Sequence, residues 1–216
     1  MHLPPALRKC LPAAWSPECW SRQYARDRIR AWRYRRKHPD LPWLTADANA
    51  LLIEHLSPES RVLEFGCGGS TLFFARNCRE VISIEHDPAW HRRVTRQLAQ
   101  ENLTAKVDLR LLPPSSHAEA AAPIPAESLD LVLVDGVRRA DCVLACMDKL
   151  KPRGLLVIDN INRHMPNDSP CPDSLRAWNK RDPAHIQWQN IHQQLAAWEQ
   201  IWTSNGVTDT LLAWKP

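Results

Sequence analysis

Two rhythms of apolar and polar positions run along this chain, and the switch between them fixes the expected architecture. The first is helical. Ser16-Pro17-Glu18 offers a cap residue, a proline at the first helical position and an acid in the first turn, so a helix is expected from there to His38-Pro39. Leu44-Thr45-Ala46-Asp47 opens a second helix, with Ala48, Leu51, Leu52 and Leu56 on one face and Pro58 beyond its end. From residue 61 strands and helices alternate. The strands expected are Val62–Phe65, Val81–Glu85, a weaker Val107–Leu111, Leu129–Asp135 and Leu155–Asp159. Between them lie helices at Leu72–Asn77, after Asp87-Pro88 (with Trp90, Val94 and Leu98 on one face), and at Arg139–Leu150. Residues 113–127, with four prolines, read as a surface loop, and Lys151-Pro152-Arg153-Gly154 as a turn. Residues 160–184 are irregular, Ala184–Ala197 is helical, and two last strands flank Ser204-Asn205-Gly206 as a hairpin. The run Leu129–Val134, apolar but for Asp130, fits a parallel strand covered on both faces. An α/β fold is therefore expected. Its seven-stranded sheet is mostly parallel, has helices on both faces, ends in an antiparallel hairpin and opens a ligand crevice at the carboxyl ends of its strands.

Composition changes this picture in two places. The 216 residues carry a net charge of +4, unevenly spread: residues 1–43 hold ten Lys/Arg and three Asp/Glu, a net +7, which leaves −3 for the rest. Two parts are expected, a basic extension (1–43) with one helix and a domain (44–216) whose segment 160–184 covers the substrate. Trp20, Tyr24, Arg28 and Trp32 are four apart, hence on one helical face, expected to dock on the domain with the arginines solvated outside. Most of the tryptophans at helical spacing are expected in the core. Seven cysteines, odd in number and without a C-x-x-C pair, indicate neither a disulfide framework nor a zinc site, and Cys142 and Cys146 read as small buried residues. No segment has the make-up of a signal peptide or a membrane span, so the expected compartment is the cytoplasm.

The chemistry gathers at Val62-Leu63-Glu64-Phe65-Gly66-Cys67-Gly68-Gly69-Ser70-Thr71, a strand, a glycine turn and a helix start. There, backbone N–H groups and the helix dipole face a ligand that a Cβ would obstruct. Nineteen positions after Gly66, Glu85 ends the next strand, where a carboxylate can accept from ribose hydroxyls. Glu64, Glu85, Asp135 and the Asp159-Asn160 pair all stand at strand ends, and in a parallel sheet such positions converge on one rim.

With Ile84-Glu85, Asp130–Gly136, Gly154–Asn160 and the terminal hairpin, this stretch resembles the class I S-adenosylmethionine-dependent methyltransferases, whose sheet is Rossmann-like. Pro42-Trp43-Leu44-Thr45, Gly68–Leu72, Glu85-His86-Asp87, Trp90 and Asp159–Arg163 are similar to bacterial small-molecule members; the likeness covers about residues 42–216. It implies that Glu64, Gly66 and Gly68 line the methionine part of the cofactor, with Ser70 and Thr71 at the same turn. It also implies that Glu85 holds the ribose, that His86 and Trp90 lie near the adenine, and that Asp135 lies by the sulfonium. Asp135, Asp159 and Asn160 also look like the Mg²⁺ ligands of catechol-type O-methyltransferases. Those enzymes carry a lysine base three residues after the first Asp, where this chain has Arg138, a poor base but a good partner for an anion. Arg138 and Arg163, with Asp135, are the catalytic candidates, for an acceptor that is small or medium-sized and anionic and receives the methyl on oxygen. His164 is a spare base, read as a solvated loop residue. Two alternatives stay open: an NAD(P)-dependent oxidoreductase, and a non-catalytic or nucleic-acid-binding member of the fold.

Overall fold

The computed structural model describes residues 21–216. Strands β1 (Arg61–Phe65), β2 (Glu80–Glu85), β3 (Val107–Leu111), β4 (Leu129–Val134), β5 (Leu150–Asp159), β6 (Glu199–Ser204) and β7 (Asp209–Trp214) form one sheet in the order β3-β2-β1-β4-β5-β7-β6. The first five pair in parallel, and β7 runs antiparallel between β5 and β6. This is the sheet the strand pattern calls for. Successive strands step outward in opposite directions from the β1–β4 pair, and a ligand crevice is expected at the carboxyl ends of the strands beside this reversal of strand order.

Six α-helices accompany the sheet among the described residues: α1 (Arg22–Lys37), α2 (Ala46–His55), α3 (Gly69–Asn77), α4 (Pro88–Gln100), α5 (Arg139–Cys146) and α6 (Pro183–Leu195). Side chains of a strand alternate between faces. Leu63 and Phe65 of β1, with Val132, Ile158, Val143 and Ile191, build one core layer toward α5 and α6. Val62 joins Leu131, Val157, Leu52 and Phe74 in the other, toward α2 and α3. The helix starts follow the caps in the sequence: Thr45, Asp87 and Asp182 each accept from a backbone N–H of the first turn that follows.

Several expectations change. The Ser16-Pro17-Glu18 start lies outside the described residues, as does Trp20; α1 is capped by Ser21, whose hydroxyl accepts from Tyr24 N–H at 3.0 Å. The aromatic face of α1 splits, with Tyr24 buried and Trp32 55% exposed. The helix instead turns Asp27, Ala31 and Tyr34 toward the β6–β7 turn at Asn205-Gly206, which puts Trp32 on the outer side. Residues 113–127 are not wholly a surface loop, because Ala120, Ala121 and Ile124 are buried against the sheet. β5 begins at Leu150, five residues early: Lys151–Gly154 stays in the strand through an irregularity opposite Leu129–Leu131, with Arg153 at φ 64°. Only Trp188 among the described tryptophans is buried, so they are not core residues as a group. Cys142 and Cys146 are buried free thiols as expected. Among the described residues no helix is long and apolar enough to cross a membrane.

Candidate active site

The turn after β1 is shaped by contact with the turn after β4. Gly66 has φ +98°, and a Cβ there would lie 2.9 Å from the backbone N of Gly136. Its own N–H donates to Ile84 O at 2.8 Å, tying the turn to β2. One step on, Gly68 N–H donates to Thr71 Oγ1 (2.9 Å), and Thr71 in turn donates to Glu64 Oε2 at 2.6 Å. Ser83 donates to the same oxygen at 2.7 Å, and Ser70 donates to the other. Glu64 is thus fully buried beneath the turn, holding it up through three hydroxyls, and with Thr71 it stands behind the crevice wall.

Burial pushes the Glu64 carboxyl up to about 7, against the pull of those hydroxyls. The folded protein therefore binds this proton more tightly than the unfolded chain does. The resulting stabilisation is full below the unfolded value and is lost as pH rises through about 7. Between about pH 5 and about pH 7 the loss is expected to be about 2 kcal/mol. Urea titrations at the two pH values measure it, and Glu64→Gln should flatten this part of the profile.

The crevice itself encloses about 500 Å³ and is lined by Gly66, Gly68, Ser70, Glu85, His86, Trp90 and Asp135 of the expected set. Glu85 is 4% exposed and is clasped by amides from two strand ends: Oε2 accepts from Cys67 N–H (3.1 Å), Oε1 from His86 and Asp87 N–H (2.7 Å each). The Trp90 indole N–H donates to Cys67 O and so pins the glycine turn from the α4 side, while Arg93 lies over its ring. Trp43, from the loop between α1 and α2, also lines the crevice. His117 is a residue that sequence reasoning missed. It is buried 5.8 Å from His86, with Nδ1 unpartnered among the described residues, and it sits in the segment read as a surface loop.

At the ends of β4 and β5 the decisive residue is Arg139, which the sequence reading passed over in favour of Arg138. Arg138 takes a left-handed conformation (φ 49°) at the start of α5, which turns the next side chain back over the sheet. Arg139 donates through Nη2 to Asp135 Oδ1 (2.8 Å) and Asp135 O (2.8 Å), through Nε to Gly136 O (2.9 Å), and through Nη1 to Asp159 O. Asp159 is engaged inward, accepting from Thr210 Oγ1 at 2.9 Å and Asn160 Nδ2 at 2.6 Å. Burial raises the Asp159 carboxyl, and the Asp135 charge adds to the rise.

These residues do not fit a magnesium site, which corrects the expectation for Asp135, Asp159 and Asn160. The Asp135 carboxylate is already paired with the Arg139 guanidinium, the Asn160 amide N–H₂ is turned toward Asp159, and among the described residues no group of three or more His, Cys, Asp or Glu is placed to hold a metal ion. Magnesium at about 10 mM should accordingly leave the thermal midpoint unchanged, since a ligand that binds the native state raises it.

A second groove of about 630 Å³ adjoins the crevice, sharing Gly136 and Val137 with it. Arg138 and Arg163 both line it, paired with Asp141 (2.7 Å) and Asp173 (3.3 Å). His164 also lines it. It is not a solvated loop histidine: its ring stacks on Trp188 at 4.8 Å and 13°.

Residues 63–161 match a family model described as a methyltransferase domain. No curated protein matches the chain. Among solved structures, a Klebsiella pneumoniae protein assigned as an O-methyltransferase is 20% identical, with a TM-score of 0.58 over 97% of this chain and 96% of that one. A Streptococcus mutans protein assigned as a methyltransferase, in complex with SAH, is 13% identical, with a TM-score of 0.55 over 77% and 97%. An rRNA methylase from Streptococcus thermophilus is 12% identical, with a TM-score of 0.54 over 77% and 92%. Residues 63–161 are thus similar to a methyltransferase domain, and the chain shares the fold of these solved structures.

Proposed function

We propose that the protein transfers the methyl group of S-adenosylmethionine to an oxygen of a small acceptor. The observation that carries this reading is the juxtaposition of two spaces: a crevice walled by a glycine turn and a clasped carboxylate, opening past Gly136 and Val137 into a second groove. Bound in the crevice, the cofactor supplies a methyl group on a sulfonium. Gly66, Gly68 and Ser70 give the backbone surface for its methionine part, with Thr71 and Glu64 as the support beneath. Glu85 Oε2 accepts one amide and keeps a lone pair for a ribose hydroxyl, while His86 and Trp90 flank the adenine. Asp135 faces the sulfonium, and Arg139 fixes its orientation. Arg138 and Arg163 meet the acceptor's anionic group on the groove side. The fold from residue 44 on supplies the crevice floor and the groove, and the preceding basic segment adds Pro39, Asp40 and Trp43 to the crevice lining.

A nicotinamide dehydrogenase is disfavoured by the strand order, because β7 lies between β5 and β6 and runs antiparallel, whereas the dinucleotide-binding sheet runs 3-2-1-4-5-6 in parallel. Calorimetric titration with S-adenosylhomocysteine and with NADH tests the cofactor; binding of NADH alone would overturn the proposal. Mass spectrometry of a metabolite extract incubated with the protein and isotopically labelled methyl donor then reports the acceptor.

A further inference from the structure

His164 closes the short helical turn after β5, with its backbone N–H donating to Ile161 O at 2.9 Å. Its ring packs on Trp188, which is 3% exposed and belongs to the core. Stacking fixes the plane of the imidazole, yet among the described residues neither ring nitrogen has a hydrogen-bond partner. A polar ring held rigidly at a groove wall with its hydrogen-bonding capacity unspent is prepared for a ligand. Around it the groove combines apolar Val137, Ala184 and Trp188 with the guanidinium groups of Arg138, Arg139 and Arg163, against Asp141 as the lining carboxylate. A planar apolar body bearing one negative group suits that lining.

We infer that this groove takes a hydroxylated aromatic acid, held through its carboxylate by Arg163 and Arg138, and that His164 is the base that removes the proton from its hydroxyl. The inference rests on the methyl-transfer reading above and adds the acceptor class and the base. The acceptor O–H proton passes to the free imidazole nitrogen; the oxygen forms the new C–O bond; the C–S bond breaks with its electron pair left on sulfur, and the sulfonium becomes a thioether. Once the product leaves, His164 returns the proton to water.

The surroundings of His164 also couple the base to the acid. In the free protein burial, together with Arg139 on α5, Arg163 on its own turn and His185 on α6, holds the imidazole down at about 4, so it is neutral at physiological pH. A carboxylate placed on Arg163 cancels part of that positive field and raises the imidazole toward the working pH, where a general base is most effective. The base therefore strengthens when the acid is bound. The sign is definite: the acid limb of kcat, set by the complex, should lie at higher pH than the acid limb of kcat/KM, set by the free protein.

The test uses the full chain with a panel of mono- and dihydroxybenzoates and the matching uncharged hydroxybenzyl alcohols. Binding is followed by calorimetry in the presence of S-adenosylhomocysteine, and turnover with labelled methyl donor. At least one acid should be methylated and should bind about tenfold or more tightly than its alcohol, with that preference lost in Arg163→Gln. In His164→Asn, kcat should fall about 100-fold or more with donor affinity kept, and the acid limb of kcat should vanish. The proton resonances of His164, identified by their absence in that variant, should titrate at higher pH with acid bound. Alcohols binding as well as acids, no methylation of any benzoate, or a His164→Asn profile like that of the parent would overturn the inference. Failure of S-adenosylhomocysteine to bind at all would instead overturn the methyl-donor reading.

Discussion

Gly66→Ala should abolish measurable binding of S-adenosylhomocysteine and lower stability by about 3 kcal/mol or more. Two costs combine. An alanine at φ +98° is strained, and its Cβ would press on the backbone of Gly136 from 2.9 Å. Neither side can yield cheaply, because the neighbour is main chain and not the end of a flexible side chain. Separation of the two turns would displace Asp135, whose N–H donates to Phe65 O at 2.9 Å across the same junction. Gly69→Ala is the control. A Cβ there meets nothing within 4 Å, so stability should be unchanged. Urea denaturation and calorimetry of both variants decide the matter; Gly66→Ala with parental affinity would show that the turn has slack.

Glu85→Ala is expected to weaken S-adenosylhomocysteine binding about 100-fold and to lower stability by about 3 kcal/mol. The stability term arises because the carboxylate serves the protein before any ligand arrives. Its loss strands the N–H groups of Cys67, His86 and Asp87, and stranded donors each cost about 1–3 kcal/mol when water cannot reach them. Glu85→Gln separates the two roles. It retains an acceptor for part of the clasp, but its amide N–H₂ must oppose a backbone donor, so it should recover part of the stability and little of the affinity. An alanine variant with parental affinity would remove Glu85 from the site.

The sheet could be read from the chain because its signals were redundant. Apolar runs, glycine turns and an Asn-Gly hairpin all pointed to the same strands, and Glu85 was legible because it ends one of them at the right distance from Gly66. What spacing could not supply was direction, since it reports position alone. Glu64 has the placement of a crevice residue, yet the hydroxyls of Ser70, Thr71 and Ser83 draw it beneath the turn. Arg138 and Arg139 are adjacent, and one left-handed residue decides which of them turns inward. A proline at 152 argued for a turn, while the strand absorbs it at an irregularity near its start. His164 could not be told from a loop histidine, since its partner Trp188 is remote in sequence and belongs to a helix whose docking no local pattern reports.

Arg139 carries a consequence of its own. A charge tethered by covalent bonds has no dissociation constant, so the electrostatics beside Asp135 stay the same whether divalent ions are abundant or scarce. No calcium can displace it and no chelator can strip it away. The compensating constraint is rigidity: a guanidinium held by four hydrogen bonds to three residues cannot follow the reacting oxygen as an exchangeable ion can, so the acceptor itself must arrive correctly oriented.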